Sequence, residues 1–107
     1  MKEVNVLGTV YTVEFKAEEE DEKLEDTNGY CDITSKRIVI RKVIRERKTI
    51  ENLEVHYKNT VRHELVHAFI HESGLNVNSD WATNEEFVSW VALQFDKLQK
   101  AFEEVEE

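Results

Sequence analysis

The sequence predicts an α+β fold, a small N-terminal sheet followed by helices, in a single domain spanning residues 1–107. Three observations lead there. Between residues 3 and 44 apolar and polar side chains tend to alternate, the period of half-buried strands. From residue 49 to about 102 the apolar positions recur instead with helical spacing. No linker separates the two regions, no internal repeat appears, and the chain has no proline.

The elements follow in order. Residues 3–15, "EVNVLGTVYTVEF", read as a hairpin turning at Leu7-Gly8. In its second arm Val10, Thr12 and Glu14 share one face and Tyr11, Val13 and Phe15 the other. Residues 17–26, "AEEEDEKLED", carry seven acidic side chains and one lysine, the composition of a solvated loop. A second hairpin is expected over residues 28–40, "NGYCDITSKRIVI": Asn28-Gly29 is a turn signal, and Thr34-Ser35-Lys36 joins a short strand to Arg37–Ile40. Half of the 14 basic residues fall between Lys36 and Lys48 and balance an otherwise acidic molecule.

Thr49 is the expected N-cap of the first helix, with Glu51 and Glu54 near the positive end of its dipole. That helix should run to about Ser73, where Gly74 can take the left-handed conformation that ends it. A loop, "LNVNSDWATN", then leads to a second helix over residues 84–102, with Asp80 and Asn84 as candidate caps. Phe87, Val88, Val91, Phe95, Leu98 and Phe102 share one face of it, and the "EEVEE" tail is expected to fray. Trp81 can fold the connecting loop onto the body; both Trp81 and Trp90 are candidates for a cleft wall, and Trp90 equally for packing.

Composition excludes several functions. Acidic residues outnumber basic ones 23 to 14, for a formal charge of −9. A nucleic-acid binder needs a basic face for phosphates, and an anionic membrane surface attracts the same charge. Neither partner is expected. The N-terminus lacks the pattern of a secretory signal, and no apolar run approaches the length of a membrane span. The lone Cys31 has no partner for an internal disulfide, so the expected compartment is the reducing cytoplasm. With no base nearby in sequence, Cys31 reads as a packing residue rather than a nucleophile.

The chemistry lies in "VRHELVHAFIHESG", Val61 to Gly74, where His63, Glu64 and His67 spell HExxH. Residues four apart on a helix stand one turn apart on the same side, so two imidazoles can converge on one ion. Glu64, rotated by about 100°, falls beside that ion rather than on it, placed to accept a proton from its water. A shuffled chain of this composition would contain HExxH roughly 2% of the time, so context must decide. Around the histidine stripe the helix carries Leu65, Val66, Ala68, Phe69 and Ile70, which marks it for burial. Buried imidazoles and a carboxylate need partners; a metal is one, and a stripe facing water is the plainer alternative.

His71 lies about 12 Å along the axis from His63, too far to bind the same ion, and is expected at the cleft edge. A third ligand must come from elsewhere. The second helix opens "NEEFVSW", offering Glu85 and Glu86. Glu85 lies about 100° from the apolar centre of that helix and Glu86 about 160°. The expected set is therefore His63, His67 and Glu85 on one Zn²⁺, with Ser89 a turn later able to hydrogen-bond a ligand. Mixed N/O ligation in an open three-ligand site favours zinc, although Mn, Fe, Co or Ni would also fit.

HExxH followed by a glutamate on the next helix resembles the glutamate-type zincins, including thermolysin-like peptidases. Asn84-Glu85 matches the start of their NExxSD-like motif, and Ser89 stands where they have aspartate. Over residues 4–102 the chain is similar to small phage and prophage metallopeptidase-like proteins related to the ImmA/IrrE group, through "NGYCD", "RIVI", "RHELVHAFIHESGL" and "NEEFVSWVALQF". The resemblance implies a minimal zincin-like fold: a short sheet, an HExxH helix and a C-terminal ligand helix. It implies a zinc peptidase acting on a protein or peptide, with Glu64 as general base. A non-proteolytic metal- or partner-binding phage accessory protein is the alternative. An edge strand, with Arg37–Ile40 the candidate, would align the peptide. His56, Tyr57 and His71 are candidate oxyanion stabilisers by residue type alone.

Overall fold

Two positive-φ residues, Leu7 at 53° and Gly8 at 96°, close the first hairpin in a computed structural model that describes residues 1–43 and 52–106. This is the backbone that a two-residue turn between twisted strands requires, and Asn5 Oδ1 supports it by accepting the Gly8 N–H at 2.8 Å. Strands β1 (Lys2–Val6) and β2 (Thr9–Lys16) pair antiparallel with Val4 opposite Tyr11. As the alternation predicts, Tyr11 is fully buried and Val10 exposed.

The acidic stretch is more ordered than its composition suggests. It forms two 3-10 turns, Glu18–Glu20 and Glu22–Leu24, with Leu24 fully buried. Asp21 caps the second by accepting the Lys23 N–H, while the Glu20 carboxylate accepts the Ala17 N–H. The carboxylates that remain exposed solvate the surface of a segment pinned by one apolar side chain.

β3 (Gly29–Asp32) and β4 (Arg37–Arg41) form the second hairpin. Its turn lies at residues 33–36, held by the Asp32 carboxylate, which accepts the Thr34 and Ser35 N–H groups. β4 also pairs with β2, in parallel, so the mixed sheet runs β1-β2-β4-β3. Arg37–Ile40 is therefore an interior strand, and the expectation that it offers a free edge is wrong. Ile38, Val39 and Ile40 are fully buried, as apolar side chains on both faces of an interior strand should be. Among the described residues the free edges are β1 and β3. Asn28-Gly29 makes no hairpin turn; Gly29 opens β3, where a Cβ would lie 2.9 Å from the Val39 carbonyl oxygen and 3.3 Å from Thr60 Cγ2.

Helix α1 (Leu53–Glu72) is capped by Asn52, whose Oδ1 accepts the Val55 N–H. It starts later than a Thr49 cap would place it; Thr49 and Glu51 lie outside the described residues. Its end is as expected, with Ser73 the cap and Gly74 at φ 80°. Ala68, Val61, Leu65 and Tyr57 pack it against Val6, Tyr11, Ile38 and Ile40. At its C-terminal end the Glu72 carboxylate accepts hydrogen bonds from Thr9, Tyr11 and Lys36 at 3.0, 2.7 and 2.9 Å, which fastens the helix to the sheet.

The expected loop after Gly74 is instead a short helix, α2 (Leu75–Asn78), and a 3-10 turn, Asp80–Thr83, with Ala82 fully buried. Trp81 sits edge-on to Phe87, ring centroids 5.0 Å apart. Asn84 caps the next helix through the Phe87 N–H, and Asp80 does not. That helix, α3 (Glu85–Val105), continues past Phe102 through most of the tail that was expected to fray. Val88 joins Ile70 and Ala82 in a second core cluster, with Val66, Leu75 and Phe87 around it. Lys58 and Arg62 on α1 pair with Asp96 on α3. Among the described residues, no helix is long and apolar enough to cross a membrane.

Candidate metal centre

Two local devices aim the site. Packing of α1 against the sheet turns the stripe His63–His67 toward α3, and the two imidazole centroids lie 5.0 Å apart. The Asn84 cap makes Glu85 the first residue of α3, at the end of the helix facing that stripe. Glu85 Oε2 lies 3.2 Å from His63 Nε2, and Oε1 lies 2.7 Å from His67 Nε2. One ligand atom from each of the three residues lies within 4.8 Å of the others. Tetrahedral zinc with bonds near 2.0–2.1 Å needs ligand atoms about 3.3 Å apart, so small side-chain rotations would suit the cluster to one ion. The donor set of two imidazole nitrogens and a carboxylate is that of an open, three-ligand zinc site.

The surroundings favour this use. Ser89 Oγ, 3.1 Å from His63 Nδ1, is placed to take its hydrogen, leaving Nε2 as the nitrogen that faces Glu85. Burial pulls the His67 pKa down, against the opposing charge of Glu85, and so favours the neutral ring that a metal requires. Glu85 itself is 69% exposed at the cleft mouth. Glu86 is exposed and takes no part in the cluster.

Glu64 is the one buried charged side chain among the described residues, 8% exposed. Burial, reinforced by the charge of Glu85 and opposed by His63, pushes its pKa up to about 7. It faces a cleft of about 730 Å³ between β3, α1 and α3. The cleft is walled by Gly29, Tyr30 and Cys31 of β3, the histidine stripe of α1, and Ser89, Ala92 and Leu93 of α3. Trp81 and Trp90 are not in its lining. Burial, with the Glu64 charge second, pushes the Cys31 thiol up to about 12, which keeps it protonated and unreactive.

His71 lines the same cleft beyond the triad, 3.5 Å from the Asn76 amide nitrogen through Nδ1. Tyr57 points away: its hydroxyl accepts the Val43 N–H, and its ring meets Phe15 edge-on. His56 lines the cleft, and its Nε2 is buried without a hydrogen-bond partner among the described residues, as is Asn76 Oδ1. Asn59 and Thr60, which belong to no motif, line the wall with His56. The three precede His63 by three, four and seven positions, so extending the helical period upstream of HExxH would have found them.

Compared with protein-family models, curated proteins and solved structures, the chain matches none. Any function assigned to this frame must come from the chemistry of the site.

Proposed function

We propose that this protein is a zinc-dependent peptidase acting in the cytoplasm on a protein or peptide, in which His63, His67 and Glu85 hold one Zn²⁺ and Glu64 is the general base. The observation that carries the reading is the Glu85 carboxylate, brought by a separate helix to Nε2 of both HExxH histidines with Glu64 buried alongside. Zn²⁺ in such a site supplies Lewis-acid polarisation of the scissile carbonyl and lowers the pKa of water toward neutrality.

The chain's own groups supply the rest. The Glu64 carboxylate, whose affinity for a proton burial raises, can accept a proton from the attacking water and pass it to the leaving amine. Ser89 orients the His63 ring. The outer edge of β3 borders the cleft, so β3, rather than Arg37–Ile40, is the strand to which an extended peptide would add.

The test is metal content and peptide cleavage, measured on wild type, His63→Ala and Glu64→Gln. Wild type and Glu64→Gln should carry near-stoichiometric zinc and His63→Ala little, while Glu64→Gln should lose cleavage by about 100-fold or more. Equal metal in wild type and His63→Ala overturns the site. Zinc retention without cleavage in wild type favours the accessory role instead.

A further inference from the structure

Helix α3 carries an apolar stripe along its whole length, and only the first part of it is covered. At 100° per residue, Phe87, Val91, Phe95, Leu98, Phe102 and Val105 fall within a sector of about 80°. Phe87 and Val91 are half-buried, but Phe95, Phe102 and Val105 are 51%, 56% and 81% exposed. Beside the first part, between α1 and α3, runs an apolar groove walled by Leu65, Val66, Phe69, Phe87, Val91 and Phe95. One helix thus presents an open groove near its start and a projecting apolar end that no described residue covers. Contiguous apolar surface of this kind marks an association site.

We propose that a second copy of the chain covers both, the two α3 helices packing antiparallel about a two-fold axis at Leu98. Val105 lies as far beyond Leu98 as Val91 lies before it. The pairing therefore lays Phe102 and Val105 of each copy over Val91 and Phe95 of the other, into the groove, and the two contacts are equivalent, as a closed dimer requires. From Val91 to Val105 the apolar positions alternate steps of four and three, the spacing of a coiled-coil seam.

Charge favours this occupant and this direction. The groove is rimmed by Arg62, whose guanidinium also meets Asp96 of its own copy, and the end it receives carries Glu103, Glu104 and Glu106. Parallel pairing would set those acids against themselves. The seam is flanked by Ala92, Gln94, Gln99, Ala101 and Glu106, and the two-fold at Leu98 sets Glu106 opposite Trp90, so no like charges oppose each other at these positions. With roughly 200 Å² for a phenylalanine, the exposed parts of Phe69, Phe95, Phe102 and Val105 amount to about 400 Å² per copy. That is half of the roughly 800 Å² a partner contributes to a standard interface, and Leu65, Val66, Val91 and Leu98 add to it. The groove shares only Ile70 and Ala92 with the lining of the metal cleft, so pairing leaves the cleft open and stands apart from the peptidase reading.

Sedimentation equilibrium of the full chain tests the proposal. Wild type should show twice the 12.6 kDa chain mass. Phe102→Glu should keep its helical circular dichroism and raise the dimer dissociation constant by about 100-fold or more. With Cys31 replaced by serine, Leu98→Cys should cross-link on oxidation, since the axis brings the two cysteines together. Val105→Cys should not, because its copies lie about 20 Å apart across the axis. A wild type that stays monomeric at about 100 μM, whether or not another protein uses this face, overturns the proposal; so does cross-linking of Val105→Cys as readily as Leu98→Cys.

Discussion

Oε1 of Glu85 lies 2.7 Å from Nε2 of His67, joining the first residue of α3 to the C-terminal half of α1. The contact spans two helices that also meet through His63 with Ser89 and Glu85, through Val88 and its neighbours, and through the Lys58/Arg62–Asp96 pairs. A carboxylate 69% exposed gains little from such a contact as a surface ion pair. On the proposed reading its value lies in completing a donor set.

Glu85→Ala should therefore lower zinc affinity by more than about 100-fold, while Glu86→Ala should leave it unchanged. Competition titration with a zinc chelator reads both. Equal losses in the two variants would break the assignment of the third ligand.

Ser89→Ala should act more gently. It removes the partner of His63 Nδ1 and leaves all three donors in place, so affinity should fall by about 10-fold. Ser89→Thr, which keeps a hydroxyl, should recover most of the loss. No change in the alanine variant would show that Ser89 does not orient the ring.

Acid should loosen the anchorage of α1 to the sheet. Hydrogen bonds from Tyr11, Lys36 and Thr9 hold the Glu72 carboxyl down at about 2, against an ordinary 4.5. A depressed folded-state pKa means that the unfolded chain binds more protons in this window. The Glu72 contribution is therefore fully present above about pH 4.5 and lost as pH falls toward 2. Tm measured across that range should fall more steeply in wild type than in Glu72→Gln, and parallel curves would refute the idea.

Gly29→Ala should destabilise the fold by about 1–3 kcal/mol, because the added methyl meets the Val39 carbonyl oxygen at 2.9 Å and Thr60 at 3.3 Å. Urea unfolding reads the loss. At Gly8, where nothing lies within 4 Å of an added Cβ, any cost of alanine comes from the positive φ instead.

Where local chemistry decides, the sequence was readable: the Leu7-Gly8 turn, the stop at Gly74, and the helical offsets that set Glu85 rather than Glu86 toward α1. The 3-10 turns at Glu18–Leu24 and Asp80–Thr83 were missed because each depends on a single buried residue, Leu24 or Ala82, in an otherwise polar run. The interior position of β4 had a local sign, the unbroken Ile38-Val39-Ile40. Its parallel partner had none, since pairing of Thr12 with Arg37 is settled by tertiary packing. The half of α3 that no described residue covers was equally hidden, because an apolar periodicity shows which face is buried but not against what.

That parallel seam also bears on how the chain finds its structure. Each hairpin closes over a short turn, whereas β2 and β4 meet only after the whole stretch from Lys16 to Arg37 has folded back. Loop-closure entropy therefore makes the joining of β2 to β4 the expected slow step. Truncating Val13 or Ile38 across the seam should retard refolding, whereas changes at the Leu7-Gly8 turn should leave that rate nearly untouched.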